Sequence, residues 1–217
     1  MKREIIVTTL SEAIAAERFG ADRLELLFDL EKGGVTPSFG TIRNVVEHVS
    51  IPVHVMIRPH TASFHYDDDD VETILADIGL CRELGVDGIV FGALTREGTI
   101  DERVLGEVIK HKGEMALTFH RAIDASRDLF ESLTVLNEYP EVDDVLTSGG
   151  APTALEGVEQ LVQMSEQAEM NILPAAGIDS ETLPFLKEQL DLNWVHIGSG
   201  VRTNGKLDEE KFIGLEL

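Results

Sequence analysis

Six ionisable side chains stand out in the sequence because each lies at or just after a short run with the composition of a buried β-strand. These candidate catalytic residues are Glu25, Arg58, His120, Arg121, Asp124 and His196. A histidine ionises near neutral pH and can donate or accept a proton, while a carboxyl group beside it can orient the ring. An arginine can hold a carboxylate or a phosphate through two parallel hydrogen bonds. Together the six residues indicate acid–base chemistry on a small anionic molecule.

The elements that must position these residues alternate regularly along the chain. Strands are predicted near residues 4–8, 23–27, 53–57, 88–91, 115–120, 144–147, 171–174 and 194–198. Amphipathic stretches of helical period lie between them, for example residues 11–19, 71–84, 154–168 and 180–190. Strands that alternate with helices pair in parallel, and eight such units predict a closed α/β barrel, the (β/α)8 TIM barrel. We expect a single domain over residues 1–217 with a short final helix, which would leave outer wall for a second subunit to cover.

Glycine-rich turns follow three of the later predicted strands and could bind the anionic part of a ligand. The candidate anion-binding residues are Ser148, Gly149, Gly150, Gly177, Ser199 and Gly200. Turns after the seventh and eighth strands of a barrel can present backbone N–H groups to a phosphate. Alternatively, the glycines only supply the left-handed conformations that tight turns need. Asp179 and Ser180, the expected caps of the seventh helix, favour that alternative.

The six ionisable residues also have an alternative interpretation, as a hydrogen-bonded network that only fills the mouth of the barrel. Burying several polar groups at one rim for packing alone is energetically costly, so a binding or catalytic site is favoured. Side chains two residues apart share one face of a strand. We therefore expect His54 and Thr118 to lie beneath Arg58 and His120.

Charge and cysteine content exclude several classes of partner. Lysine and arginine number 18 against 40 acidic residues, a formal net charge of −22. A field of that sign repels phosphate backbones and anionic lipid, so neither a nucleic-acid nor a membrane partner is expected. The acidic run at residues 67–70 precedes an apolar helical pattern and is predicted to begin a helix rather than bind a cation. A single cysteine, Cys81, and no apolar signal segment predict a cytoplasmic protein.

Four segments of the chain together resemble the CutC family. They are residues 55–59 (VMIRP), 85–92 (GVDGIVFG), 118–124 (TFHRAID) and 146–150 (LTSGG), in order over essentially the whole chain. That family is known as copper homeostasis proteins, with a TIM-barrel fold, a cytoplasmic location and a tendency to dimerise. The resemblance therefore implies a copper-linked role and a homodimer, and it supplies no established reaction.

Copper is implied as a cofactor by the resemblance alone, and the metal ligands are unknown from the sequence. Cu(I) prefers several thiolate or thioether ligands together, whereas Cys81 lies in an apolar helical pattern and is expected to be a small buried side chain. His54, His60 and His65 are close in sequence but have no recognised ligand spacing. No tight Cu(I) site within one subunit is expected.

Two functions are open at this point, and whether the protein is an enzyme is undecided. One is copper binding or trafficking, as the resemblance implies. The alternative is a TIM-barrel enzyme that performs acid–base chemistry on a small phosphorylated or carboxylated metabolite. A scaffold without catalysis is a third, plainer possibility.

Overall fold

Eight parallel strands alternate with helices in the computed structural model, which describes residues 1–215. The strands are β1 (Lys2–Val7), β2 (Arg23–Leu26), β3 (Val53–Met56), β4 (Gly88–Phe91), β5 (Ala116–Phe119), β6 (Asp144–Thr147), β7 (Asn171–Pro174) and β8 (Trp194–Ile197). They form one sheet in the order β7-β6-β5-β4-β3-β2-β1-β8, and β7 also approaches β8. The predicted (β/α)8 TIM barrel is therefore confirmed.

Eight helices surround the strands. They are α1 (Leu10–Phe19), α2 (Phe39–His48), α3 (Asp68–Glu83), α4 (Glu102–Lys112), α5 (Leu129–Leu136), α6 (Val158–Gln167), α7 (Leu183–Gln189) and α8 (Glu209–Ile213). Between β8 and α8 the chain forms a small antiparallel hairpin, β9 (Arg202–Thr203) with β10 (Lys206–Leu207). The five-residue α8 is the short final helix that the sequence predicts. Within residues 1–215, no helix combines the length and apolarity needed to cross a membrane.

Local sequence signals explain several helix ends. The acidic run begins α3 as predicted, because the Asp67 carboxylate accepts the Asp70 N–H and the Asp70 carboxylate accepts the Asp67 N–H. Gly20, with φ 97°, closes α1 in the left-handed conformation. Two predicted starts are wrong. Residues 154–157 form a turn before α6, and residues 180–182 form a turn in which Asp179 accepts the Thr182 N–H before α7.

The apolar core lies between the barrel and the helices, and the inside of the barrel is unusually polar. Ile5, Leu24, Val55 and Phe119 belong to one buried cluster that extends onto the helices. The alternate residues of the strands point toward the barrel axis. Several of these inward-facing side chains are polar and buried: Glu4, Arg23, Glu25, His54, Thr118, Asp144 and His196. Buried polar groups require partners. The side chains of this polar layer therefore determine which charges and hydrogen-bonding groups the barrel presents at the carboxyl ends of its strands.

Candidate active site

A cavity of about 1000 Å³ opens at the carboxyl ends of the strands. All six predicted catalytic residues line it: Glu25, Arg58, His120, Arg121, Asp124 and His196. Of the predicted anion-binding residues, Gly150, Gly177 and Ser199 line the cavity, whereas Ser148, Gly149 and Gly200 do not. The strand-end rule therefore brings residues from four strands and their turns together in one place.

His120 presents a neutral ring to this cavity. It lies directly after β5, and its Nδ1 accepts the Ala122 N–H at 3.1 Å. Burial and the charge of Arg58 lower the pKa of His120 to about 3, so the ring is uncharged near neutral pH. Because Nδ1 accepts a hydrogen bond, the single ring proton is on Nε2, which has no partner among residues 1–215. The ring can therefore donate a hydrogen bond from Nε2 to a ligand in the cavity. Gly92 packs against Nδ1 so closely that any side chain there would displace the ring.

Arg58 is a buried cation without a carboxylate partner. Its side chain follows β3, is 6% exposed, and stacks on Phe64 with the guanidinium carbon 4.5 Å from the ring centroid. Nη1 donates to the carbonyl oxygens of Gly34 at 3.3 Å and Gly33 at 3.5 Å, and Nε has no partner. No carboxylate within residues 1–215 forms an ion pair with it. By contrast, Arg121 in the same wall is paired with Asp124 at 2.8 Å.

A chain of buried charges runs from beneath the cavity to Glu25. Arg23 is paired with both Asp144, at 2.9 Å, and Glu4. His196 donates from Nδ1 to Glu4 at 2.6 Å, and its Nε2 lies 3.7 Å from the Glu25 carboxylate. Strand register produces this arrangement, because β1 lies between β2 and β8 and pairs Glu4 with Arg23 on one side and His196 on the other.

Burial and neighbouring charges separate the pKa values of the two glutamates. For Glu25, burial raises the pKa to about 7, with the charge of Glu4 adding to the effect and His196 opposing it. Burial acts on Glu4 as well, but the hydrogen bond from His196 and the charge of Arg23 outweigh it, and the pKa falls to about 2. Burial opposes the charge on His196, but Glu25 and Glu4 raise its pKa overall. The Nδ1 proton of His196 is engaged by Glu4. The exchangeable proton is therefore shared between the Glu25 carboxylate and Nε2 of His196.

Asp124 follows β5, and its carboxylate lies against the glycine turn after β6. Its carboxylate accepts hydrogen bonds from the Ser148 N–H, the Gly150 N–H at 3.0 Å and the Thr147 hydroxyl. The Gly149 N–H donates to Thr147 Oγ1 at 2.9 Å. The backbone donors of Ser148, Gly149 and Gly150 are thus already engaged, and a ligand anion would have to displace Asp124 to use them. In this conformation Asp124 supports the turn and orients Arg121.

Two functional features lie outside the residues that the sequence singled out. Glu4 is hidden inside the first predicted strand, where a charged residue among apolar neighbours was the available signal. Arg202 lines the cavity from β9 and is 8% exposed. It lies only a few residues beyond the eighth strand, so the strand-end rule could have been extended to include it.

The described residues do not fit a copper site. No group of three or more His, Cys, Asp or Glu side chains within residues 1–215 is arranged to hold a metal ion. Cys81 is fully buried in α3, where burial and the charge of Asp77 raise the pKa of its thiol to about 12. Copper(I) binds the thiolate, so this protonated thiol is a poor ligand. His60 is paired with Asp70 at 3.1 Å, and His65 accepts from Arg96 at 3.1 Å.

The chain is similar to several known proteins of one family. The profile of the CutC family matches residues 1–201. A family protein CutC from Mesorhizobium japonicum is 38% identical over 198 residues, which cover 90% of this chain and 76% of that protein. A second, from Salmonella heidelberg, is 38% identical and covers 91% of this chain and 79% of its own. The crystal structure of CutC from Streptococcus agalactiae, named as a candidate copper homeostasis protein, has a TM-score of 0.86 at 25% identity, over 93% of this chain and all of that one.

More distant barrels share the fold alone. Phosphoribosylanthranilate isomerase from Thermotoga maritima has a TM-score of 0.68 at 12% identity, over 99% of this chain and 96% of that one. The profile and the relatives at 38% identity are far more specific than this fold-level likeness. The chain belongs to the CutC family.

Proposed function

We propose that this protein binds a small anionic metabolite in the barrel cavity and acts on it by acid–base chemistry. The observation that carries the proposal is Arg58, a buried cation in the cavity wall that has no carboxylate partner in the described part of the chain, residues 1–215. A buried charge is costly unless it is paired, so a ligand that supplies a carboxylate or phosphate would relieve that cost. The neutral His120 ring beside it adds a hydrogen-bond donor that is also without a partner.

The cavity residues divide naturally into binding and proton-transfer roles. Arg58 binds the anionic group of the ligand, and the Nε2–H of His120 donates to an oxygen on which negative charge develops. Glu25 takes up and returns a proton, for which a pKa of about 7 is well suited. His196 shares that proton, and Arg121, paired with Asp124, lines the same cavity. These roles need only a proton transfer and no bound metal. The link to copper in the names of the relatives would then be an indirect one.

The experiment that tests this proposal is the replacement of His120 by asparagine. Asparagine is a good N-cap residue and can accept the Ala122 N–H, so the melting temperature is expected to change little. Ligand binding is expected to be lost, because the Nε2–H donor is absent. The measurement is a thermal-shift screen of phosphorylated and carboxylated metabolites on wild type and variant, since a ligand that binds only the native state raises its stability.

A second variant, Gly92→Ala, displaces the His120 ring without changing its chemistry and should weaken the same thermal shifts. If His120→Asn binds the selected ligand like wild type but unfolds about 1–3 kcal/mol more easily, His120 is a structural residue and the proposal fails.

Direct copper binding is expected to be absent or weak. Cys81, the one cysteine, is buried with a raised thiol pKa, and no cluster of three potential ligands occurs in residues 1–215. We expect Cu(I) in competition with a strong chelator to remain with the chelator, for wild type and for Cys81→Ser alike. Stoichiometric Cu(I) binding that disappears in Cys81→Ser would contradict this expectation and restore the copper-binding function.

We also propose a cytoplasmic homodimer. One cysteine, unable to form an internal disulfide, is typical of a reducing compartment. The five-residue α8 leaves Ile213 67% exposed on the outer wall, where a second copy could cover it. We expect light scattering to give twice the mass of one chain, and Ile213→Asp to shift the protein toward single chains. A single-chain mass for wild type at all concentrations would contradict the dimer.

A further inference from the structure

We propose, as an extension that rests on the proposed function, that the turns after β7 and β8 bind a phosphate group, so that the ligand is a phosphate monoester whose second anionic group reaches Arg58. The two turns comprise Ala175–Ile178 after β7 and Gly198–Gly200 after β8. Both belong to the wall of the cavity already described, on the side away from β3 and β5.

The backbone of these turns presents free donors. Ala176 and Gly177 both have left-handed conformations, with φ 73° and φ 70°. Left-handed backbone is strained for an alanine, so Ala176 retains a conformation that its own side chain disfavours. Within residues 1–215, the N–H groups of Ala176, Gly177 and Ser199 have no acceptor. Successive N–H groups in such turns form concave sites for anions.

Glycines in the turn after β8 allow its backbone to pack closely against the turn after β7. A Cβ atom at Gly200 would overlap the carbonyl oxygen of Ile178, and a Cβ at Gly198 would lie 2.8 Å from Ile6 Cδ1. Only glycine therefore allows the β8 turn to approach the β7 turn and β1 this closely. The free N–H groups of both turns consequently lie at one end of the cavity.

Arg202 provides an independent side-chain donor at the same end. Its Nη2 donates to Ile6 O at 2.8 Å and its guanidinium pairs with Glu12, so the group is rigidly held. Its Nε is buried and has no partner, although the residue lines the cavity. A phosphate carries three acceptor oxygens on its free face against two for a carboxylate. The several backbone donors together with Arg202 Nε therefore suit a phosphate better.

The turn after β6 is an internal precedent for this chemistry. It has the same glycine-rich character, and its N–H groups bind the carboxylate of Asp124. The β7 and β8 turns have no carboxylate of the protein in the corresponding place within the described chain. A ligand anion would complete there the arrangement that Asp124 completes after β6.

The test is a titration of the isotope-labelled full chain with inorganic phosphate, followed by the backbone amide resonances. We expect saturable shifts at Ala176, Gly177 and Ser199, with sulfate similar and acetate about tenfold weaker. Arg202→Gln is expected to weaken phosphate binding about tenfold. The matched control is Lys32→Gln, which removes the same charge from a solvent-exposed position of the cavity rim after β2 and should change the affinity by no more than about twofold.

Arg202 also pairs with Glu12, so a second variant guards against a folding defect. Gly200→Ala forces the two turns apart and should abolish the phosphate shifts while the rest of the amide spectrum is preserved. Absence of saturable shifts, equal losses in Arg202→Gln and Lys32→Gln, or acetate binding as tightly as phosphate would each overturn the inference. Shifts centred on Arg58 and His120 instead would overturn the phosphate position but support the proposed function, so the two fail separately.

Discussion

Replacing Arg58 with methionine is expected to abolish ligand binding while leaving the fold at least as stable as wild type. Arg58 is 6% exposed, and its guanidinium donates long hydrogen bonds to the carbonyl oxygens of Gly33 and Gly34. Methionine has similar length and can pack against Phe64, so the desolvation cost of the charge disappears. We expect the free energy of unfolding to be unchanged or to rise by about 1–2 kcal/mol. The ligand loses its counterion, and its affinity should fall about a hundredfold or more.

The measurement combines urea unfolding with the ligand-induced thermal shift of each protein. Arg121→Met is the matched control, because Arg121 belongs to the same cavity wall but is paired with Asp124 and is 40% exposed. The loss of Arg121 should lower stability slightly, since it breaks an ion pair. The change in the free energy of unfolding is therefore expected to be negative for Arg121→Met and zero or positive for Arg58→Met. An Arg58→Met protein that is clearly less stable but keeps its ligand-induced shift would show that Arg58 is structural.

The fold could be predicted from the sequence because its signals are local. The runs at residues 88–91, 144–147 and 171–174 coincide with β4, β6 and β7. Periodicity was a weaker guide to where α6 and α7 begin, because the Asp179 carboxylate holds the turn before α7 and long-range contacts determine the turn before α6. The Ala154 N–H donates to Ala176 O, and Gly157 packs directly on Ser148 O. A pattern that describes one segment at a time contains no information about such partners.

The composition of the candidate site followed from the same rule, but its electrostatic state did not. Residue type and strand position were enough to predict that Glu25, His120 and His196 lie near one cavity. The neutral state of His120 depends on its burial beside Arg58, which lies 62 residues earlier in the sequence. The engagement of the β6 turn by Asp124 likewise depends on hydrogen bonds across 24 residues or more. Charge states and occupied donors are properties of packing, so the sequence alone could not supply them.

Glu25→Gln is expected to remove most of the pH dependence of stability between about pH 6.5 and pH 8, because the folded chain keeps the Glu25 proton to a higher pH than the unfolded chain does. The folded pKa is about 7, whereas the ordinary pKa of a glutamate, expected in the unfolded chain, is 4.5. Between these values only the folded chain binds the proton, so unfolding releases it and stability falls as pH rises. The stabilising contribution is therefore complete below about pH 4.5 and is lost as pH rises through about 7. A shift of this size corresponds to about 3–4 kcal/mol.

His196 shares this proton with Glu25, and its pKa is raised partly by the charge of Glu25, so the two groups titrate as one coupled pair. Glutamine at position 25 removes the titration of that pair. The lowered pKa values of His54 and His120 act with the opposite sign but only up to about pH 6.5, and the lowered pKa of Glu4 acts at much lower pH, so this window reports on the pair. Urea unfolding across the window should give a steep slope for wild type and a nearly flat one for Glu25→Gln. Glu31→Gln, a solvent-exposed carboxylate of the same cavity, is the control and should keep the wild-type slope. An unchanged slope in Glu25→Gln would mean that the exchangeable proton belongs to another group, and Glu25 would lose its role as the proton acceptor.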